Sequence, residues 1–151
     1  MFTIEAIMST DLITVTPSAT LAEARTLMHD NRIHHIPVMD DDKLVGLLTL
    51  TNVLAATDSF LRDSKNRIHA NEILIEDAMV ADVATVDINA RLRQAALFIE
   101  KHAIGCLPVM DDEKLVGIIT DTDFVAVAIN LLEQLEETEP ELDDYEDVDV
   151  A

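Results

Sequence analysis

Near the end of the chain, a glycine, a threonine and an aspartate are spaced as they would be around a ligand. Gly117 lets another stretch of backbone pass close by, Thr120 falls where an apolar run gives way to a helical pattern, and Asp123 follows three residues later. Backbone N–H groups at a helix start can face a phosphate, and two carboxylate oxygens can accept from both hydroxyls of a ribose. The same Thr-x-x-Asp spacing is that of a capping box, which would only satisfy the N–H groups of the helix itself. Both roles stay open.

Histidines near residue 30 and a lone cysteine are the other groups that could do chemistry. A metal site built from His29, His34 and His35 is disfavoured, because no Cys or carboxylate falls at a convincing ligand spacing and neighbouring residues on a strand point apart. Cys106 adjoins an apolar run without a nearby base, which favours an inert buried thiol. With no Ser-His-Asp arrangement and no Walker-type phosphate loop in view, we do not expect an enzyme.

These residues belong to an internal repeat. Two copies of one pattern occur without a gap, and equivalent residues are separated by 71 positions throughout. The copies are Ile33-x3-Pro37-Val38-Met39-Asp40-Asp41-x-Lys43-Leu44-Val45-Gly46-x2-Thr49 and Ile104-x3-Pro108-Val109-Met110-Asp111-Asp112-x-Lys114-Leu115-Val116-Gly117-x2-Thr120. Two units of about 55 residues are each small for independent stability, so we expect them to pack on one another.

Each copy predicts the element order β-α-β-β-α. Short apolar runs are typical of strands, and apolar residues at helical spacing separate the first strand from the second. The first strands, first helices, second strands and third strands are predicted over residues 12–15 and 83–86, 20–30 and 91–102, 35–39 and 107–110, and 44–48 and 115–119. Acidic turns join the last two strands, and closing helices are predicted from Thr51 and from about Asp121. The fold class is therefore α/β (α+β).

The chain is strongly acidic, with a formal net charge of −20 over 151 residues. Ten of the acidic residues fall within 133–151, which contains no Lys or Arg, so we expect this segment to be solvated and largely disordered. Nucleic-acid binding is not expected, because phosphate backbones are held by Lys and Arg. The same charge opposes a nucleotide at long range, so such a ligand needs a local basic pocket or a bound cation such as Mg²⁺.

The sequence predicts a cytoplasmic protein that does not enter a membrane. The N-terminus lacks the basic start of a signal peptide, no apolar run approaches membrane-spanning length, and the single cysteine excludes an internal disulfide. We divide the chain into a first repeat over 1–57, a connection over 58–74, a second repeat over 75–132 and the acidic tail over 133–151.

The ordered pair of patterns resembles the CBS-domain family. In each half a Met near the start precedes a Thr-Val strand, a helix, an apolar-Pro-Val-x-Asp strand and a Gly-x-x-Thr-x-x-Asp motif, with Asn replacing the last Asp in the first half. The second half is also similar to bacterial acetoin-utilisation AcuB-type CBS proteins. The resemblance implies two repeats with pseudo-twofold symmetry and two equivalent clefts. It also implies a homodimer formed through helices, and binding of AMP, ADP, ATP or another adenosyl ligand.

The resemblance places one cleft between the carboxylate of the second repeat and the two histidines of the first. In the family, phosphate contacts often come from the repeat opposite the ribose aspartate. Adenine would need an apolar slot, which we expect at Val86, Ile104, Leu107 and Pro108, with backbone groups of Thr85 and Val86 reading the base edge. The full set of predicted ligand-binding residues is Thr120, Asp123, His34, His35, Thr85, Val86, Leu107 and Pro108. An ordinary surface or interface pair remains the alternative for the histidines.

The equivalent site in the other cleft is predicted to be weaker. It would contain Thr49, Asn52 and Pro37. Asn52 offers one acceptor oxygen and no charge where the second repeat has a carboxylate, so it should hold a ribose less well. Gly105 and Cys106 stand where the first repeat has its two histidines, and neither can supply a positive charge.

Two functions fit the sequence. The first is a regulatory sensor, in which an adenine nucleotide or another adenosyl ligand shifts the angle between repeats or protomers and an unidentified regulated protein reads that state. The second is a dimerisation and protein-interaction module without a small ligand. The incomplete first-repeat site and the negative charge favour this alternative.

Overall fold

The chain forms two similar halves of mixed helix and strand, which confirms the predicted fold class. The computed structural model describes residues 2–61 and 72–138, so parts of the predicted connection and tail lie outside the described residues. The first half contains α1 (Ile4–Ile7), α2 (Leu21–Asn31), β1 (His35–Asp40), β2 (Lys43–Thr49) and α3 (Leu50–Leu61). The second half contains α4 (Ile75–Ala78), β3 (Val86–Asp87), α5 (Leu92–His102), β4 (Cys106–Asp111), β5 (Lys114–Thr120) and α6 (Asp121–Thr138).

The two hairpins are matched residue for residue. β1 pairs antiparallel with β2 and β4 with β5, and in both pairs the register shifts at the same point, after Val38 and after Val109. Each hairpin turns through two residues, and the first of them, Asp41 or Asp112, has a positive φ of about 50°. Aspartate adopts this left-handed conformation more readily than most residues, which fits the acidic turns read from the sequence.

The first strand of each repeat is shorter than the sequence predicted. The expected strand at 12–15 is reduced to one parallel bridge between Val15 and Val38, and the one expected at 83–86 begins only at Val86. The backbone before each of these points crosses from one half to the other. Ser9 forms backbone hydrogen bonds with Ile118 of the second half, whereas Val15, further along the chain, bonds within the first half. A segment that crosses between the halves cannot pair with one strand along its whole length.

Each half completes the hydrophobic core of the other. Ile4 of α1 is fully buried in the second core, together with Ala95, Leu107, Val109 and Ile119. Ile73 and Ile75, at the start of the second half, are buried in the first core, together with Val15, Leu21, Ala24, Met28, Ile36, Val38, Leu48 and Val53. Backbone hydrogen bonds fix the exchange, since Ser9 and Ile118 bond to each other at 2.9 and 3.0 Å. Leu47 and Val80 form the equivalent pair, both at 2.9 Å.

Helix α6 extends further than the sequence predicted and is poorly covered. It continues to Thr138, beyond the boundary placed at residue 132, because the added residues include good helix formers such as Glu, Gln and Leu. Val125, Ile129 and Leu132 recur at one helical face and are 57%, 52% and 57% exposed. They form an apolar stripe that the rest of the described chain does not cover. None of the helices in the described ranges has the length and apolar character needed to cross a membrane.

Two glycines allow the exchanged segments to lie against the hairpins. A Cβ atom added at Gly117 would lie 2.5 Å from Met8 Sδ and 3.1 Å from the carbonyl oxygen of Ser9. A Cβ added at Gly46 would meet Met79 and lie 3.1 Å from the carbonyl oxygen of Val80. The close backbone passage expected at Gly117 is therefore seen, and the segment that passes is the one that enters from the other half.

We expect Gly117→Ala to destabilise the protein by about 1–3 kcal/mol, because the new methyl group overlaps Met8 and crowds the backbone of Ser9. Urea unfolding of the variant and the parent measures the change. In the double variant Met8→Ala/Gly117→Ala the sulfur is gone, so the two substitutions should cost less together than the sum of their separate effects. Additive losses would show that Met8 is not the obstacle.

Candidate ligand-binding cleft

A cleft of about 350 Å³ lies between the two halves. Three segments form its walls: the crossing segment after α1, the junction of α2 with β1, and the junction of β5 with α6. Its lining residues are Ser9, Asp11, Leu12, Ile13, Arg32, Ile33, His34, His35, Pro37, Ile118, Thr120, Asp121, Thr122 and Asp123. The cleft therefore brings Thr120 and Asp123 of the second repeat together with His34 and His35 of the first.

Asp123 both caps a helix and lines the cleft. Its Oδ2 atom accepts from the backbone N–H of Thr120 at 2.8 Å and from the Thr120 hydroxyl at 3.3 Å. Its Oδ1 atom has no hydrogen-bond partner within the described residues. The capping role and the ligand role left open by the sequence are therefore compatible, because one oxygen holds the carboxylate in place and the other remains available.

The sequence led us to expect free N–H groups for a phosphate at the start of α6, but those of residues 120–122 all donate to acceptors of the protein. Thr120 N donates to Asp123, Asp121 N donates to the carbonyl of Gly105 at 3.0 Å, and Thr122 N donates to Asp121 Oδ1 at 3.0 Å. The Thr120 hydroxyl also lies 2.7 Å from the Thr122 hydroxyl. Carboxylates of the helix itself have taken the places that an anion would use.

His35 lies across the seam between the repeats, whereas His34 is exposed. A Cβ atom built at Gly105 would be 3.1 Å from His35 Nε2 and 3.8 Å from Asp121 Oδ2, so the missing side chain makes room for the imidazole. Burial lowers the pKa of His35 below its ordinary value of 6.5, and this effect outweighs the nearby carboxylate of Asp121, which acts to raise it. His35 is therefore neutral at neutral pH.

Cys106 follows Gly105 at the start of β4 and is buried. Burial, reinforced by the carboxylates of Asp121 and Asp123, raises the pKa of its thiol to about 12. A thiol that stays protonated is a poor nucleophile and a poor metal ligand, as expected from the sequence. In the part of the chain that the structure describes, no group of three His, Cys, Asp or Glu side chains is placed to hold a metal ion.

The other residues predicted to contact the ligand lie outside this cleft. Leu107 and Pro108 are core residues with less than 2% exposure, and Val86 packs against the second core. Thr85 lines a separate, open depression of about 1450 Å³ at the turn ends of the hairpins, where acidic residues of both turns gather. None of these four residues lines the cleft that contains Asp123, because the wall facing that aspartate comes from the first repeat.

Sequence reasoning did not place most of the apolar residues that line this cleft in the predicted main site. Four of the five apolar lining residues, Leu12, Ile13, Ile33 and Pro37, come from the first repeat, and Ile118 comes from the second. The sequence predicts Pro37 for the weaker site. Shifting the predicted slot by the repeat spacing of 71 residues leads from Pro108 to Pro37, so the repeat itself carried the signal.

The equivalent positions in the other repeat are arranged differently. Asn52 Oδ1 accepts from Thr49 N at 3.0 Å and Asn52 N donates to Thr49 Oγ1 at 3.1 Å, which completes a reciprocal capping box. The single acceptor oxygen of Asn52 is thus already used. Its remaining polar group is an amide donor, which cannot replace the free carboxylate oxygen of Asp123.

Comparison with known proteins identifies this architecture. Residues 4–59 and 75–130 each match the CBS domain family. The chain belongs to the CBS-domain family. A Vibrio cholerae protein described as an acetoin utilization protein (AcuB) is 40% identical to this CBS pair, with a TM-score of 0.76 and coverage of 93% of this chain and 99% of that one. The narrower similarity expected from the second half is therefore confirmed.

Two solved CBS structures similar to this CBS pair contain ligands. The CBS domain pair of protein MJ0100, in complex with 5′-methylthioadenosine and S-adenosyl-L-methionine, is 26% identical, with a TM-score of 0.74 and coverage of 87% of this chain and 98% of that one. CBSX2 in complex with AMP is also 26% identical, with a TM-score of 0.73 and coverage of 87% of this chain and 99% of that one.

Some curated relatives are much longer than this CBS pair. Homoserine O-acetyltransferase of Methanobrevibacter ruminantium is 33% identical over 129 residues, which are 84% of this chain but 24% of that protein. An inosine-5′-monophosphate dehydrogenase of Thermoplasma acidophilum is likewise 33% identical, over 80% of this chain and 22% of its own length. The chain thus spans about a quarter of the length of these two proteins.

His35 should make the stability of the fold depend on pH. Because its pKa is lower in the folded chain than the ordinary 6.5, the unfolded chain binds more protons as pH falls through 6.5, and the free energy of unfolding should decrease. Urea titrations between neutral and mildly acidic pH should show a steeper loss for the parent than for His35→Gln. His29→Gln is the matched control, since the His29 ring is 91% exposed. Equal slopes for all three proteins would contradict the assignment.

Proposed function

We propose that this chain is a non-catalytic regulatory module that binds an adenine nucleotide or another adenosyl ligand in the cleft between its repeats. The observation that supports it is the placement of Asp123 and Thr120 opposite His34 and His35 in one cavity. The two ligand-bound CBS structures add support, since both hold adenosyl compounds. The volume of about 350 Å³ lies at the lower end of the range for small-molecule sites and fits one nucleoside-sized ligand.

In this proposal the ribose binds to Asp123. The hydrogen bond from Thr120 N fixes the carboxylate before the ligand arrives, so little side-chain freedom is lost on binding. A hydrogen bond to a charged group contributes about 1.5–3 kcal/mol, enough to make this contact the main source of affinity.

The adenine would lie among Leu12, Ile13, Ile33 and Pro37. The backbone groups of Ile13 have no hydrogen-bond partner within the described residues, and the crossing segment that carries them faces the cleft. Free backbone N–H and C=O groups beside an apolar slot can read the edge of a base. These residues take the role that the sequence assigned to Thr85 and its neighbours.

A ligand in this cleft would contact both repeats at once. It could therefore bias their relative position if its affinity differs between two arrangements, which is the thermodynamic condition for regulation. The proposed repeats are residues 1–57 and 75–132, residues 58–74 connect them, and the acidic tail follows. In this proposal an unidentified regulated protein reads the arrangement of the repeats. The non-catalytic assignment is supported by the enzyme-named relatives, of which the chain spans only about a quarter.

We also propose that the module is a cytoplasmic homodimer that binds neither nucleic acid nor membrane. The apolar stripe of Val125, Ile129 and Leu132 on α6 requires a cover, and a second copy presents the same stripe in the complementary orientation. This stripe is also the observation that favours the alternative function, a ligand-free interaction module. The two functions differ in whether adenosyl ligands stabilise the protein.

Replacing Asp123 by Ala should weaken adenosine binding by about 10- to 100-fold, because the free carboxylate oxygen is lost. Isothermal titration calorimetry on the full chain measures the change. Asn52→Ala is the matched control, since it removes the equivalent capping side chain of the other repeat and should leave this affinity within about threefold. Equal effects of the two variants would reject Asp123 as the ribose ligand. If no adenosyl ligand binds or raises the melting temperature of the parent, the ligand-free module is the better description.

Analytical ultracentrifugation should give a mass of twice 16.7 kDa for the parent chain. Ile129→Glu should shift it toward the monomer, because a charge in the middle of the stripe would be buried without a partner. Asn130→Glu adds the same charge to the neighbouring exposed position, off the stripe, and should leave the dimer intact. A monomeric parent, or dimers in both variants, would contradict this interface.

A further inference from the structure

The charged side chains around the cleft are mostly negative. Asp11, Asp121 and Asp123 line it, and Arg32 is the one cationic side chain among the lining residues. With histidines counted as neutral, the lining carries a formal charge of −2. His35 supplies no compensating charge at neutral pH, because burial keeps its imidazole unprotonated. The charge surrounding a 5′ substituent in this cleft would therefore be opposite to the one that a phosphate requires.

The backbone N–H groups of residues 120–122 add no compensation. At the start of α6, the N–H groups of Thr120, Asp121 and Thr122 all donate to acceptors of the protein. Two of these acceptors are carboxylates, which also neutralise the positive end of the helix dipole. A phosphate in this cleft would have to displace an existing hydrogen bond and approach a carboxylate.

The first repeat shows that a closing helix can be capped without the carboxylates of Asp121 and Asp123. Leu50 and Asn52 occupy the positions equivalent to Asp121 and Asp123, and the closing helix of the first repeat is capped without any charge. The acidic residues at the start of α6 are thus specific to the second repeat.

We infer, on the basis of the proposed function, that the cleft selects adenosyl ligands whose 5′ substituent is uncharged or positively charged over adenosine phosphates. A thioether or a sulfonium at that position meets Asp11 and Asp121 without repulsion, and a sulfonium gains attraction from both. Each added phosphate increases the repulsion, and the long-range field of the acidic chain acts in the same direction.

Calorimetry on the full chain at neutral pH and low salt tests the selectivity, with EDTA present so that no divalent cation masks the phosphates. The probes are adenosine, 5′-methylthioadenosine, S-adenosyl-L-methionine, AMP and ATP. We expect the first three to bind more tightly than AMP, and AMP more tightly than ATP, with about a five- to tenfold loss per step. Added salt should narrow these differences, because it screens exposed charges.

Two variants identify the groups responsible. Asp11→Asn and Asp121→Asn each remove one negative charge and leave Asp123 in place, and the amide introduced by Asp121→Asn retains an oxygen that can accept from Thr122 N. Each should raise the affinity for AMP relative to adenosine by about threefold or more, and lower the affinity for the sulfonium compound. Asp42→Asn is the matched control, because it makes the same change of charge in a hairpin turn outside this cleft.

The outcomes separate the two proposals. If adenosyl compounds bind but ATP binds as tightly as adenosine, or if Asp42→Asn changes the ratio as much as the cleft variants do, the charge selectivity is wrong and the proposed function stands. If none of the five probes binds, both are wrong. The predicted affinity order, with a shift confined to Asp11→Asn and Asp121→Asn, supports the inference.

Discussion

The burial of Ile4 in the second core and of Ile75 in the first is the constraint from which the rest of the structure follows. Because each leading helix must reach the opposite half, the chain after it has to cross back over the seam. That crossing shortens the first strand of each repeat and leaves residues 9–13 as a wall of the cleft. The ligand site is thus formed by the same segments that join the two cores.

The start of α6 shows how a structural role and a binding role can share one side chain. Asp123 uses one oxygen to satisfy Thr120 N and leaves the other facing the cleft. The fold thereby orients the carboxylate without ligand, whereas in the uncharged pair Thr49 and Asn52 the one acceptor oxygen of the amide takes part in the cap. The difference between Asp123 and Asn52 is thus one source of the functional asymmetry that we propose.

Much of the fold could be predicted because the repeat is nearly literal. The two hairpins share sequence, turn residues and register shift, so either copy predicts the other. The burial of Ile4 and Ile75 in the core of the opposite half could not be predicted, since an isolated apolar residue fits either core. The same gap applies to the site. The family resemblance predicted that Asp123 and the histidines would share a cleft, whereas the residues predicted for the apolar slot do not line that cleft. Asp121, at the first position of α6, is indistinguishable in sequence from an ordinary helix-stabilising acid.

The exchanged helices also indicate how such a chain could arise. A single repeat on its own would have an unfilled position in its core and an apolar helix with nowhere to pack, and two identical copies could correct both defects by domain swapping. Gene duplication followed by fusion would then preserve the swapped arrangement within one polypeptide. Once fused, the copies no longer need to be identical, and one closing helix can begin with acidic residues while the other begins with the uncharged Leu50 and Asn52.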